Sequence, residues 1–147
     1  MTNGTFTIKR TVTVRAVVTP RWKEEAEREL SNALSGSDSQ LAQLEQEGQQ
    51  VIDAIRSQSA NPLDPRVQEQ VASVQDQVAT KRAELEEQKR QLLEQQRQVR
   101  ELEMEQIVDQ GQLESFCEVG LGDNLVEKLQ AAVLVRDGVI EAIEGAD

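Results

Sequence analysis

Few residues of this 147-residue chain could carry out chemistry, and the residue types that it lacks exclude most kinds of active site. The sequence contains no His, so it supplies no imidazole base, Ser–His pair or His metal ligand. Its one cysteine, Cys117, excludes a zinc site built from several thiolates. The Gly120-Leu121-Gly122 run is too short for a phosphate-binding motif. We therefore expect a protein that is not an enzyme and that needs no cofactor or metal.

The carboxylates are abundant, but their positions indicate structural roles. Glu114 and Glu118 lie on one predicted strand, where pairing with bases across the sheet is the ordinary role of an acid. Asp64 directly precedes Pro65, an arrangement typical of a helix N-cap followed by a proline in the first turn. Glu69 is the other acid close to that point. A site at which Asp64 and Glu69 bind Mg²⁺ therefore stays open as an alternative.

Charge and composition limit the kinds of partner. The net charge is −11, whereas binding to nucleic acid or to an anionic membrane requires clustered bases. A single cysteine fits a reducing compartment. No apolar run approaches the length of a membrane span, and the polar first five residues do not resemble the start of a signal peptide. We expect a cytoplasmic protein that binds neither nucleic acid nor membrane.

Two series of apolar residues follow the three- and four-residue steps of a heptad repeat. Between them lies Asn-Pro-Leu-Asp-Pro at 61–65, which no helix crosses intact. The sequence therefore predicts an antiparallel coiled-coil hairpin over residues 19–108, with its tip near 59–66. The first helix is expected to continue through Gly36, and the second to end near 105–108. The two series are Leu30, Leu34, Leu41, Leu44, Val51 and Ile55, then Val71, Val74, Val78, Leu85, Leu92, Val99 and Leu102.

The register of this hairpin can be estimated, because facing position numbers add to a constant in an antiparallel pair. Matching Leu41 with Leu92 gives a sum of 133, and most of the other apolar residues then face each other. This register places Gly48 opposite Leu85 and centres the turn near residue 66.

The two ends of the chain predict strands. Apolar and polar residues alternate over residues 5–15, as in a half-buried strand. Residues 112–119 form a second candidate, and Asp137-Gly138 between β-branched runs predicts a hairpin. The first 20 residues carry no acid, whereas residues 109–147 carry nine acids and two bases, which favours pairing between the chain ends. We predict an α+β fold in which residues 1–18 and 109–147 form a small β base; residues 125–130 are ambiguous.

Four short segments resemble the YlqD family of bacterial proteins. They are Val-Val-Thr-Pro-Arg-Trp-Lys at 17–23, Gly-Gln-Leu-Glu-Ser-Phe at 111–116, Gly-Asp-Asn at 122–124 and Asp-Gly-Val-Ile at 137–140. The resemblance spans most of the chain and implies a bacterial origin, cyanobacterial or Gram-positive. The family has no established activity, so the resemblance assigns no catalytic, cofactor-binding or partner-binding residue.

The predicted shape favours a scaffold or adaptor. The β base is small, so we expect it to form a homo-oligomer. The hairpin would meet an unknown protein partner through the tip residues Asn61, Leu63, Asp64 and Arg66, since a loop held by a rigid scaffold often carries binding residues. Two alternatives stay open by analogy of fold. One is a prefoldin-like chaperone clamp, and the other is a Gre-like RNA polymerase-binding factor whose acids would be Asp64 and Glu69.

Overall fold

The computed structural model describes residues 4–145 and contains a mixed four-stranded sheet and a hairpin of two long helices. The predicted α+β class is confirmed. The described chain divides into two compact units: a sheet unit of residues 4–25 and 101–145, and a hairpin unit of residues 26–100. In chain order, the elements are β1 (Thr5–Val17), α1 (Pro20–Ser57), α2 (Pro65–Glu101), β2 (Ile107–Gly120), α3 (Leu125–Leu129), β3 (Ala132–Arg136) and β4 (Val139–Glu144).

The first strand is central to the sheet, whose order is β2-β1-β3-β4. Strand β1 pairs antiparallel with β2 from Thr5 opposite Gly120 to Val17 opposite Ile107, with a register shift after Val14. It also pairs in parallel with β3 over Thr13–Ala16. Strands β3 and β4 form an antiparallel hairpin across the Asp137-Gly138 turn, as the sequence predicts.

The boundary between α2 and β2 differs from the prediction. Helix α2 ends at Glu101 rather than near 105–108, and β2 begins at Ile107 rather than at 112. Glu105 adopts a left-handed backbone (φ 69°), which a continuing right-handed helix excludes. Its amide donates to the Val18 carbonyl (2.7 Å), and the Val18 amide donates to the Gln106 carbonyl (2.8 Å). The residues after α2 are thus held by Val18, the residue that directly follows β1.

The ambiguous segment at 125–130 contains a short helix, α3. The Asn124 side chain caps it by accepting from the Glu127 amide (3.2 Å). The helix lies against β1 and β2, because Arg10 Nη1 donates to the Lys128 carbonyl (2.8 Å) and Cys117 Sγ lies 3.8 Å from the same oxygen. Cys117 is buried and forms no disulfide, so it packs as a small hydrophobic residue.

The hairpin register follows from ion pairs that join α1 to α2. Lys89 Nζ lies 2.6 Å from Asp38 Oδ1, and Arg100 Nε lies 3.2 Å from Glu27 Oε1. Arg82 pairs with Glu45 in the same way. Position numbers add to 127 in each pair, and Gly48 lies against Val78 rather than Leu85. The predicted register is therefore wrong by about one heptad. A sum of 127 centres the turn between residues 63 and 64, whereas the predicted centre at residue 66 falls inside α2.

Small and polar residues interrupt the apolar seam of the hairpin. The buried residues of the two helices are Ser37, Gly48, Ile52, Val71 and Leu85, and the Ser37 hydroxyl has no hydrogen-bond partner. A groove of about 430 Å³ follows the seam, lined by Leu44, Leu85 and five polar or charged residues. Close approach occurs at Gly48, where an added Cβ would lie 2.7 Å from Val78 Cγ2.

Two glycines of α1 should respond oppositely to alanine. Gly36 is exposed with no atom within 4 Å of an added Cβ, so Gly36→Ala should stabilise the hairpin by about 1 kcal/mol through helix propensity. Gly48→Ala makes the same gain in helix propensity, but the added Cβ would clash with the branched side chain of Val78. Displacing that side chain in a packed seam costs about 1–3 kcal/mol. Urea denaturation followed by circular dichroism at 222 nm measures both. Equal stabilisation by the two substitutions would show that the helices are not in close contact at Gly48.

Candidate functional site

The hairpin tip is an ordered turn held by its own side chains. Asn61 Oδ1 accepts from the Leu63 amide (3.1 Å), and the Asp64 amide donates to the Asn61 carbonyl (3.0 Å). Asp64 Oδ1 accepts from the Arg66 amide (2.9 Å), which is the N-cap contact that the sequence predicts for α2. Ser59 Oγ also donates to the Asn61 carbonyl (3.1 Å). Local hydrogen bonds therefore define the turn.

The structure brings the four predicted partner-contact residues into this one turn but gives them different roles. Asn61 and Asp64 use side-chain oxygens to form the turn. Leu63 and Arg66 are exposed, and 76% of the Leu63 surface is accessible to solvent. An apolar side chain on an ordered loop is a suitable contact for an apolar pocket of a partner, so Leu63 and Arg66 are the candidate contact residues.

An ionic cluster that sequence reasoning missed lies in the sheet unit. Arg136 donates through Nη1 and Nη2 to the two carboxylate oxygens of Glu105 (2.7 and 2.6 Å), and through Nε to Glu141 (2.6 Å). These hydrogen bonds lower the pKa of Glu105 and raise that of Arg136. The bidentate geometry gives the contact directional specificity. The sequence carried no signal for it, because the two partners are 31 positions apart and Glu105 was placed near the end of a helix.

A neighbouring contact joins the same β3–β4 turn to the start of α1. Thr19 Oγ1 donates to Asp137 Oδ1 (2.6 Å) and accepts from the Trp22 amide (3.0 Å), so Thr19 is both the N-cap and a tether. Thr19 and Glu105 flank the point at which the chain leaves and rejoins the sheet. Together, these contacts hold this end of the sheet in place.

The faces of the sheet form the other extended surface. Strand register places Val12 beside Leu113, and Val133 beside both Val14 and Ile143, on one face. We call this the apolar face. Its rim is solvent-exposed: Phe6 is 78% and Leu113 is 59% accessible. The opposite face, the polar face, carries ion pairs such as Lys9–Glu114 (3.7 Å) and Arg15–Asp109 (3.4 Å), in line with the predicted pairing of acids and bases across the sheet.

Across residues 4–145, no group of three or more His, Cys, Asp and Glu side chains is placed to hold a metal ion. None of the helices described here is long and apolar enough to cross a bilayer.

Comparison with known proteins identifies relatives without assigning an activity. The chain matches the family model described as YlqD protein over residues 6–144. A crystal structure of a protein of unknown function from the cyanobacterium Synechococcus sp. WH 8102 is 72% identical, covers 98% of each chain and has a TM-score of 0.86. No curated protein matches the chain. The family resemblance predicted from the four short segments is confirmed.

The ionic cluster of Arg136, Glu105 and Glu141 predicts that the stability of the fold depends on pH. Because Arg136 lowers the pKa of Glu105 in the folded state, this contact stabilises the fold above the ordinary glutamate pKa. Its contribution should disappear as pH falls through the lowered value. Arg136→Gln should raise the pKa of Glu105 to its ordinary range, as measured by a ¹³C-carboxyl NMR titration.

Glu87 is the internal control in that titration. Arg90 lowers its pKa through a hydrogen bond on the surface of α2, and Arg136→Gln leaves that pair intact. The pKa of Glu87 should therefore stay low while that of Glu105 rises. A Glu105 pKa that does not move would show that the bidentate contact does not persist in solution.

Proposed function

The chain belongs to the YlqD family, and within that family we propose for it the role of a non-enzymatic cytoplasmic scaffold or adaptor. In this proposal, the sheet unit associates with a second copy, and the hairpin forms an antiparallel coiled coil whose tip contacts a protein partner. The observation that carries the proposal is the ordered tip, on which the Leu63 side chain is exposed to solvent.

The tip is suited to binding because its conformation is already defined. A flexible loop loses conformational entropy when it binds, and a loop fixed beforehand avoids part of that cost. The capped start of α2 and the Asn61 turn supply this order. Leu63 then offers an apolar anchor and Arg66 a cation near it, and Arg is one of the residue types enriched among those that dominate binding energy.

The sides of the two long helices support the assignment of binding to the tip. They carry surface ion pairs such as Glu87–Arg90 and Glu94–Arg97, which favour solvation over burial in an interface. Charge argues against other partners. With a net charge of −11, nucleic acid and anionic membranes are disfavoured relative to a protein partner.

The two alternatives are less well supported. A prefoldin-like clamp would hold clients through several large apolar side chains, but at the described tip Val67 is half-buried and Leu63 is the only large hydrophobic residue that is exposed. A Gre-like factor would present Asp64 to a metal ion, whereas here Asp64 Oδ1 accepts from the Arg66 amide as a helix cap. The proposed adaptor role needs only the ordered turn with Leu63 and Arg66 exposed.

The tip can be tested by replacing Leu63 and Arg66 together with Ala. Asp64 and Pro65 keep the turn, so stability should change by less than about 0.5 kcal/mol, as for ordinary surface substitutions. Capture of a partner identified by mass spectrometry from a bacterial lysate should fall by about tenfold or more, as when a dominant interface contact is lost.

A control variant, Leu93→Ala with Arg90→Ala, removes the same residue types from the side of α2, where Leu93 is 48% exposed. This control variant should capture the partner as well as the unmodified chain does. An equal loss in both variants would assign binding to the helix sides, and unchanged capture by the tip variant would remove the tip from the proposal.

A further inference from the structure

The apolar face of the sheet has an unusual charge pattern for a solvent-exposed surface. At its paired strand positions in the described chain, Arg10 is the only charged side chain. Its Nη1 donates to the Lys128 carbonyl, so the guanidinium group is directed to α3. The polar face of the same strands carries most of the charges, including Lys9, Arg15 and Glu114. The two faces therefore differ sharply in polarity.

Helix α3 packs against the apolar face and exposes apolar side chains of its own. With only five residues, it covers the sheet locally, near Cys117. Leu125, Val126 and Leu129 all remain exposed. Helix α3 thus adds apolar surface to this side of the sheet, together with the exposed Glu127.

The size of this surface matches what a stable pair of proteins buries. The exposed apolar side chains on this side are Phe6, Leu113, Ile140 and Ile143 of the strands and Leu125, Val126 and Leu129 of α3. At roughly 100 Å² each, they amount to about 700 Å², which lies within the range of about 600–1,000 Å² that each partner contributes to a standard interface. A lone soluble protein rarely exposes an apolar patch larger than about 300–600 Å².

A second copy of the chain is the occupant that fits this chemistry. An isologous interface places the same patch on both partners, so a patch with few charges meets its own copy without needing complementary charges. Homodimer interfaces are also more apolar than other interfaces. An anionic lipid surface fits less well, since the chain carries a net charge of −11.

We propose that two copies of this chain pair through the apolar face of the sheet, with Phe6, Leu113 and Ile140 buried between them. The proposal rests on the self-association included in the proposed function and assigns a surface to it.

Two substitutions on one strand test the surface. Leu113 lies on the apolar face, and Phe116, which is 63% exposed, lies on the polar face three positions away. The wild-type chain should show twice its own mass by light scattering at micromolar concentration. Leu113→Lys should raise the dissociation constant by about tenfold or more, because it buries an unpaired charge. Phe116→Lys should leave the dissociation constant unchanged.

A measurement on the wild-type sequence avoids the risk that Leu113→Lys fails to fold. Phe6 and Phe116 are the two phenylalanines of the chain, one on each face. Labelling with 4-fluorophenylalanine gives one ¹⁹F resonance from each face. Dilution through dissociation should shift the Phe6 resonance and leave the Phe116 resonance in place.

The outcomes separate this inference from the proposed function. A wild-type monomer would overturn both the self-association and the proposed surface, and binding of that monomer to phosphatidylcholine vesicles would assign the face to lipid. A dimer in which folded Leu113→Lys associates normally, or in which only Phe116 shifts on dilution, would overturn the surface alone.

Discussion

The pairing of β1 with β2 is the interaction on which the rest of the structure depends. These strands adjoin in space, but the hairpin of 38- and 37-residue helices separates them in the chain. Closing so long a loop is entropically costly, and the cost must be met by the strand ladder and by contacts at its end. Val18 is fully buried at that point and exchanges backbone hydrogen bonds with Glu105 and Gln106. Arg136 and Thr19 then fix the β3–β4 turn to the same place.

The sheet is an incomplete domain by the usual rules of packing. A sheet with one apolar face normally buries it against a second layer of helices or strands. Here α3 lies over part of that face, and the buried apolar residues of the described sheet unit are few: Ala16, Val17, Val18, Cys117 and Ala132. The polarity of the two faces and the small core have one common explanation if a second copy provides the missing layer. This connects the stability of the fold to its assembly.

The hairpin and the sheet present different chemistry to solvent. The hairpin exposes charged sides and a turn whose polar groups are used internally, which leaves Leu63 and Arg66 as the distinctive groups of the tip. The apolar face of the sheet exposes a broad surface with almost no charge. A small, ordered contact suits a specific partner, whereas a broad apolar surface suits permanent association. The proposed adaptor role assigns one kind of contact to each part.

Local sequence determined the elements themselves. Heptad spacing and the Asn-Pro-Leu-Asp-Pro segment predicted two helices and their turn, alternation predicted β1, and Asp137-Gly138 predicted the β3–β4 hairpin. The tip residues were placed together because they are neighbours in the chain. Each of these features depends on residues a few positions apart, and propensity and periodicity report directly on such distances.

Only the tertiary structure decided the register of the hairpin, the end of α2 and the order of the sheet. A heptad repeat looks the same after a shift of seven residues, so apolar spacing alone did not distinguish Gly48 against Leu85 from Gly48 against Val78. After α2 ends, the Glu105 amide binds the carbonyl of Val18, which directly follows β1 and lies about 90 positions earlier in the chain. The Arg136–Glu105 contact and the parallel pairing of β1 with β3 also join distant residues. Such pairings depend on which distant partner is available in space, and a local pattern carries no information about that choice.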